Sequence, residues 1–136
     1  MSNVTVSRAY PASSPLSLWG IIGAPGSLAD WHPAIAQSVM DGDRRTMTLA
    51  DGAVFLEDVT EHSDDAMTYS YAVVESPLPV TGFSSTVSVQ ADGDGARATW
   101  AGDFEVVGAT PTEIEEMVRG LYEAGLSAVA DTLEAV

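Results

Sequence analysis

Cysteine and lysine are both absent from the 136-residue sequence. Without cysteine there is no disulfide, no thiolate nucleophile and no cysteine-ligated metal. Without lysine there is neither a lysine Schiff base nor a lysine general base. The two histidines, His32 and His62, match no known ligand spacing. We therefore expect no metal site and no cofactor.

Positive charge and long apolar runs are also scarce. Five basic residues stand against 20 acidic ones, which gives a net charge of −15. This field repels phosphate backbones and anionic lipid headgroups. No apolar run reaches the roughly 18 residues of a membrane span, and the first residues lack the pattern of a signal peptide. We expect a cytoplasmic protein, monomeric or homodimeric, that binds neither nucleic acid nor membrane.

The length and composition predict a single globular domain over residues 1–136. A chain of this length can bury roughly two-thirds of its unfolded surface, and 46% of its residues are hydrophobic. We find no internal repeat and no linker.

The residue pattern predicts one strand, one or two short helices, and then six more strands. Ser14 and Pro15 suit a helix start, and Ser27 suits the cap of a further single turn. Short turns rich in Gly, Asp and Pro separate the later strands, which favours antiparallel neighbours. The predicted strands are 3–10, 35–41, 45–50, 53–62, 67–75, 83–90 and 96–105.

The C-terminal segment has the clearest helical pattern. Thr110, Pro111 and Glu113 fit the N-cap, the first helical position and a capping box. Apolar residues recur at helical spacing over about 25 residues, so this helix needs a large apolar surface to lie on. We predict an α+β helix-grip fold, in which a curved seven-stranded antiparallel sheet wraps around the long helix. Such a sheet leaves room for a cavity.

The stretch "VFLEDV", residues 54–59, places an acid in an apolar row. In a strand, Phe55 and Glu57 share one face. A hairpin centred on Asp51-Gly52 places Arg45 opposite Asp58 and Thr46 opposite Glu57, within a register error of one residue. A buried lone carboxylate is very costly, and an arginine partner makes it tolerable. We therefore predict a Glu57–Arg45 pair, which either holds the sheet edge without a ligand or faces a cavity.

Several motifs together resemble the polyketide cyclase/dehydrase branch of the START/Bet v 1-like (SRPBCC) superfamily, over essentially the whole chain. They are "WHP", "RRTMTLADGAVFLEDV", "YSY", "PLPVTGF", "TW" and "GLYEAGLSAV". The resemblance implies a small bacterial protein in which Glu57 points into the cavity, with Arg45 and Phe83 at further family positions. Plant hormone receptors of this superfamily carry a pocket lysine about where this chain has Ala36. That departure argues against a receptor-like carboxylate anchor.

Two functions of different classes follow from this interpretation. The first is binding of a hydrophobic small molecule, polyketide-, aromatic- or lipid-like, oriented by Arg45, Glu57 and Tyr71. The second is a polyketide cyclase or dehydratase in the same cavity, with Glu57 as base, Arg45 as oxyanion partner and Tyr71 or His32 as acid. A partner-binding domain with a collapsed pocket is a third possibility. The predicted ligand contacts are Trp31, His32, Phe55, Tyr69, Phe83, Trp100, Met117, Leu121 and Tyr122.

Overall fold

The computed structural model describes residues 1–134. Seven strands and three helices follow the predicted order, and a 3-10 turn at Pro25–Ser27 joins the first two helices. The strands are β1 (Ser2–Tyr10), β2 (Ile35–Asp41), β3 (Arg44–Leu49), β4 (Val54–Ser63), β5 (Thr68–Glu75), β6 (Val80–Asp92) and β7 (Gly95–Val106). The helices are α1 (Pro15–Ile22), α2 (Leu28–Trp31) and α3 (Pro111–Glu134).

The strands form one antiparallel sheet in the order β1-β7-β6-β5-β4-β3-β2. The first strand therefore pairs with the last, and the remaining neighbours are consecutive hairpins. This arrangement confirms the predicted helix-grip fold. The largest boundary error is in β6, which begins three residues before the predicted start at residue 83.

The core lies between the concave face of the sheet and one face of α3. Inward residues of the strands alternate with exposed ones, as along β6, where Phe83, Ser85, Val87 and Val89 are buried. Helix α3 buries every third or fourth residue against them: Ile114, Val118, Tyr122, Leu126 and Val129. Among residues 1–134, no helix is long and apolar enough to cross a membrane.

The first two helices close one end of this core. Ser14 caps α1, because its hydroxyl accepts a hydrogen bond from the backbone N–H of Ser17, as the sequence predicts. Leu18 and Ile22 are fully buried beneath α1, and Leu28 is buried beneath α2. The short helices thus place Leu28 and the following His32 over the space between sheet and α3.

Candidate functional site

A cavity lies between the concave sheet, α2 and α3. It is lined mainly by apolar side chains, with Glu57 as the one carboxylate in its wall. The lining residues are Leu28, His32, Ile35, Met47, Leu49, Phe55, Glu57, Tyr71, Val73, Leu78, Phe83, Trp100, Val118, Leu121 and Tyr122. A largely apolar wall with few polar groups is typical of small-molecule sites.

The cavity is small. Its volume is about 40 Å³, measured as space for the centre of a water-sized sphere. One water needs about 10–15 Å³ on this measure, so the space suits only a few waters. Drug-sized ligands occupy pockets of about 300–1,000 Å³. A ligand of that size therefore enters only if lining side chains move outward.

Glu57 and Arg45 form a buried ion pair across the β3–β4 hairpin. In the strand register Arg45 lies opposite Glu57. The sequence predicts Asp58 opposite Arg45, with an error of one residue, and the observed register differs from it by that one residue. The Arg45 Nε donates to Glu57 Oε1 at 2.8 Å, and Nη2 lies 2.7 Å from the same oxygen. The two residues are 0% and 2% exposed. The predicted pairing is confirmed.

Arg45 lies behind the cavity wall and does not line the cavity. Its Nη1 donates to the Pro25 carbonyl at 2.8 Å and to the Tyr69 hydroxyl at 3.4 Å. Its guanidinium carbon lies 4.6 Å from the centre of the Tyr71 ring, a cation–π distance. These contacts hold the guanidinium among Glu57, the Pro25 carbonyl and two tyrosines, and it does not line the cavity where an oxyanion would lie.

Burial sets the protonation behaviour of this pair. Desolvation raises the pKa of the Glu57 carboxyl above its ordinary value, and the charge and hydrogen bond of Arg45 lower it in part. For Arg45, desolvation lowers the pKa, but Tyr69, Glu57 and Tyr71 outweigh that effect and raise it overall. Arg45 is therefore a fixed cation beside a carboxylate that protonates more readily than usual.

The second oxygen of Glu57 forms no hydrogen bond with residues 1–134. Both contacts with Arg45 go to Oε1. Glu57 lines the cavity, and Oε2 has no protein hydrogen bond that a bound molecule would have to replace. This free oxygen is the polar feature that distinguishes the site from ordinary core.

The other polar groups of the wall bind one another. The Trp100 indole N–H lies 3.0 Å from the Tyr71 hydroxyl and 3.2 Å from the Ser85 hydroxyl, and donates to both. Ser85 donates to the Ala101 carbonyl at 2.9 Å, which leaves the Tyr122 hydroxyl to donate to Ser85 at 2.8 Å. Burial raises the pKa of Tyr71 well above its ordinary value. These groups hold the wall in shape.

His32 links α2 to α3. Its Nε2 lies 2.7 Å from the Leu121 carbonyl, and its Nδ1 accepts from the Ala34 backbone N–H at 3.1 Å. This assigns the neutral tautomer with the proton on Nε2, because only Nε2–H can donate to a carbonyl. Burial lowers the pKa of His32. Both ring nitrogens are occupied, so His32 contributes to the wall of the cavity rather than to proton transfer.

His32 gives the protein an expected pH dependence. The folded-state pKa lies below the ordinary value of 6.5, so below pH 6.5 the unfolded chain binds a proton that the folded chain does not. The contribution of His32 to stability should therefore fall on acidification from pH 6.5 until its folded-state pKa is reached, by at most about 1.4 kcal/mol per pH unit. Urea unfolding at about pH 7, 6 and 5 measures this.

The variant His32→Gln should lose this contribution, so its stability relative to wild type should improve as the pH falls. His62→Gln, which removes the other histidine, is the matched control. It should keep the pH dependence of stability that His32 contributes in wild type. Equal pH dependence in wild type and His32→Gln would contradict the assignment.

Most predicted site residues line the cavity, and four do not: Trp31, Tyr69, Arg45 and Met117. His32, Phe55, Phe83, Trp100, Leu121 and Tyr122 lie in its wall together with Glu57 and Tyr71. Trp31 is buried against Trp100, with ring centres 6.2 Å apart. Tyr69 is buried beside Arg45. These three residues, Trp31, Tyr69 and Arg45, lie behind the cavity wall. The sequence alone could not show whether these residues contact a ligand or only pack inside the protein.

The prediction that Met117 belongs to the core and contacts ligand is wrong. Its side chain is 55% exposed. The buried stripe of α3 runs through Ile114, Val118 and Tyr122, and a step of about 100° per residue turns Met117 away from it. Helical spacing alone could not fix the width of that stripe.

Sequence reasoning also missed several lining residues. They are apolar residues of α2, β2, β3, β5, the β5–β6 connection and α3: Leu28, Ile35, Met47, Leu49, Val73, Leu78 and Val118. Strand alternation and helix phase are the only sequence signals for these residues. Both signals identify inward-facing residues, but neither distinguishes a cavity wall from a solid core. Within residues 1–134, no group of three or more His, Asp or Glu side chains could hold a metal ion.

Comparison with solved structures gives close matches over the full length. The chain is similar to the protein XoxI from Bacillus cereus, at 29% identity and a TM-score of 0.93, covering 97% of this chain and 95% of that one. It is also similar to a putative uncharacterized protein from Bacillus thuringiensis, at 29% identity and a TM-score of 0.90, covering 96% and 98%.

A more distant match shows the fold alone. The Bet v 1-like protein Ara h 8.0201 is 17% identical with a TM-score of 0.79, covering 99% of each chain. A comparison with curated proteins gives no significant match.

The sequence itself matches one family over residues 1–134, described as "Polyketide cyclase / dehydrase and lipid transport". The match covers the sheet, the short helices and α3, and so includes every residue of the cavity wall. The chain therefore belongs to the polyketide cyclase/dehydrase and lipid transport family.

Proposed function

We propose that the protein binds a mainly apolar small molecule that carries a hydrogen-bond donor, in the cavity between the sheet and α3. The observation that carries this proposal is the free Oε2 of Glu57 in an otherwise apolar or internally bonded wall. A donor on the ligand, such as a hydroxyl or phenol, would satisfy this oxygen. The family and the fold support a hydrophobic ligand cavity.

The small cavity volume sets a condition on binding. Ligand must displace side chains, and Met47, Leu49, Leu78 and Leu121 are lining residues whose flexible apolar side chains make no hydrogen bonds. Binding therefore costs reorganisation, which lowers affinity below that of an open pocket. An anionic ligand is disfavoured, because the cavity presents a carboxylate and the chain carries a charge of −15.

Catalysis of a polyketide cyclisation or dehydration is the second candidate. The raised pKa of Glu57 favours its use as a general base. Such a reaction also needs a donor for the developing enolate oxygen, and Arg45, the predicted oxyanion partner, lies behind the wall. His32 and the Trp100 indole are committed to hydrogen bonds within the protein. The geometry therefore supports binding better.

Affinities for 2-naphthol and 2-methoxynaphthalene test the proposal. The two molecules share an apolar body, but only the naphthol has an O–H donor. A hydrogen bond to a charged acceptor contributes about 1.5–3 kcal/mol, so the naphthol should bind at least about tenfold more tightly. Isothermal titration calorimetry gives both dissociation constants. In Glu57→Gln the preference should largely disappear, because the amide is a weaker, uncharged acceptor.

Asp58→Asn is the matched control, since Asp58 is the next carboxylate on the same strand and its side chain is only half-buried. It should leave the preference unchanged. Equal affinity of wild type for both naphthalenes would contradict the role of Glu57. Native mass spectrometry of the purified protein adds a separate test: an altered product formed by wild type and lost in Glu57→Gln would favour the catalytic candidate.

A further inference from the structure

The sheet contains a gap between β5 and β6. Their pairing runs from Thr68 opposite Ser88 to Ala72 opposite Ser84 and then stops. Beyond this point β5 continues with β4 only, and β6 continues with β7 only, to Val80 opposite Val106. Residues 73–75 and 80–83 therefore lie on either side of an opening that no backbone pair crosses among the described residues.

Local backbone geometry produces this gap. The β6–β7 register shifts between Thr81 and Ser84, and Gly82 between them has a φ of +64°, which L residues rarely adopt. A bulge of this kind bends its strand and locally ends pairing. The connection 76–79, which carries two prolines, then joins the separated strand ends.

A polar groove of about 580 Å³ lies outside the gap. Its lining contains one carboxylate, Glu75, and the hydroxyl residues Ser76 and Thr81. Two valines of its wall, Val54 and Val74, are 46% and 49% exposed.

Two side chains line both the groove and the inner cavity. Val73 comes from β5 and Phe83 from β6, one from each side of the gap. The two spaces are thus separated by side chains and not by paired backbone. Leu78 of the 76–79 connection lies in the cavity wall next to this point. Moving these apolar side chains apart breaks no sheet hydrogen bond.

We propose that ligand enters the cavity through the gap between β5 and β6, past Val73 and Phe83, and leaves its polar end in the groove beside Glu75, Ser76 and Thr81. This inference rests on the proposed function and adds a ligand class to it. The bound molecule is an amphiphile whose apolar part lies in the cavity. Its polar end is cationic or uncharged, because the groove presents a carboxylate and no cation.

Stopped-flow binding of the neutral dye N-phenyl-1-naphthylamine tests the route. Phe83→Ala removes part of the barrier, so the association and dissociation rate constants should both rise at least tenfold. Leu18→Ala is the matched control, since Leu18 is buried like Phe83 but lines neither the cavity nor the groove. Its rate constants should stay within threefold of wild type. If either alanine variant does not fold, Phe83→Leu and Leu18→Val give the same comparison.

Competition by decyltrimethylammonium and decanoate against the dye tests the ligand class. The cationic amphiphile should bind at least tenfold more tightly to wild type, and Glu75→Gln should reduce this preference at least threefold. Glu61→Gln is the matched control, because Glu61 is an exposed carboxylate near the end of β4 that is far from the groove. This substitution changes the net charge equally and should leave the preference unchanged.

The outcomes separate this inference from the proposed function. If the dye binds but Phe83→Ala and Leu18→Ala alter the rates equally, the route through the gap is wrong and the cavity function stands. If decanoate binds as well as the cation, the ligand class is wrong. If the dye binds neither wild type nor variants, both the cavity function and this inference are wrong.

Discussion

Replacing Arg45 with methionine is expected to lower the free energy of unfolding by about 3–5 kcal/mol, because it leaves the Glu57 carboxylate buried without its counter-charge. The variant also removes the donor to the Pro25 carbonyl and the cation that lies over the Tyr71 ring. A domain is stable by about 5–15 kcal/mol in total, so this single change removes a large fraction. Urea denaturation near neutral pH measures it.

The neighbouring arginine provides a matched control. Arg44 pairs with Asp58 across the same two strands, but their side chains are 44% and 43% exposed. Arg44→Met should change stability little, because solvent screens that pair. The double variant Arg45→Met/Glu57→Leu should recover much of the loss, since it leaves no unpaired buried charge. A loss in Arg44→Met as large as in Arg45→Met would contradict the assignment of the buried pair.

Gly125→Ala is expected to destabilise the protein by about 1–3 kcal/mol through overpacking. A Cβ at this position would lie 2.6 Å from His32 Cδ2 and 3.0 Å from Trp100 Cζ3. Neither ring can move freely, because His32 is held at both nitrogens and the Trp100 indole N–H donates to Tyr71 and Ser85. The contact would therefore push α3 away from the sheet. Thermal and urea unfolding measure the loss.

Gly120→Ala makes the same chemical change in the same helix and should have the opposite sign. A Cβ at Gly120 would meet no atom within 4 Å. Alanine in a helix interior is more favourable than glycine by about 0.5–1 kcal/mol, so stability should rise by that amount. If both substitutions raise stability, the close approach of His32 and Trp100 to α3 is wrong.

The two glycines show what can and cannot be predicted from the sequence. Both stand in a segment whose pattern predicts a helix, and that prediction is correct. Nothing in the pattern separates Gly125, which admits a neighbouring ring, from Gly120, which faces open space. The difference depends on which residues a distant loop brings to the helix, and His32 lies more than 90 positions away in the chain.

The Glu57–Arg45 pair was more accessible to prediction, because its partners are close in sequence. Strand alternation, the Asp51-Gly52 turn and the cost of a lone buried charge were enough to find it. They could not show that the guanidinium is closed off by the Pro25 carbonyl and two tyrosines. That environment comes from the α1–α2 connection and β5, whose placement depends on the whole fold.

The volume of the cavity was equally out of reach. The sequence predicts a sheet that wraps around one helix and leaves space between them. How far side chains fill that space depends on their rotamers and contacts. The same limit explains Met117, whose spacing fits the apolar pattern while its side chain faces solvent.

The two adjacent arginine–carboxylate pairs of the β3–β4 hairpin also fix how its strands align. Arg44 and Asp58 project to one face and Arg45 and Glu57 to the other. Sliding β4 by one residue would turn Glu57 and Phe55 outward together, and sliding it by two would set the buried guanidinium opposite Phe55 or Val59. Only the observed alignment neutralises both faces at once. The hairpin thus specifies its own strand alignment within the folded sheet.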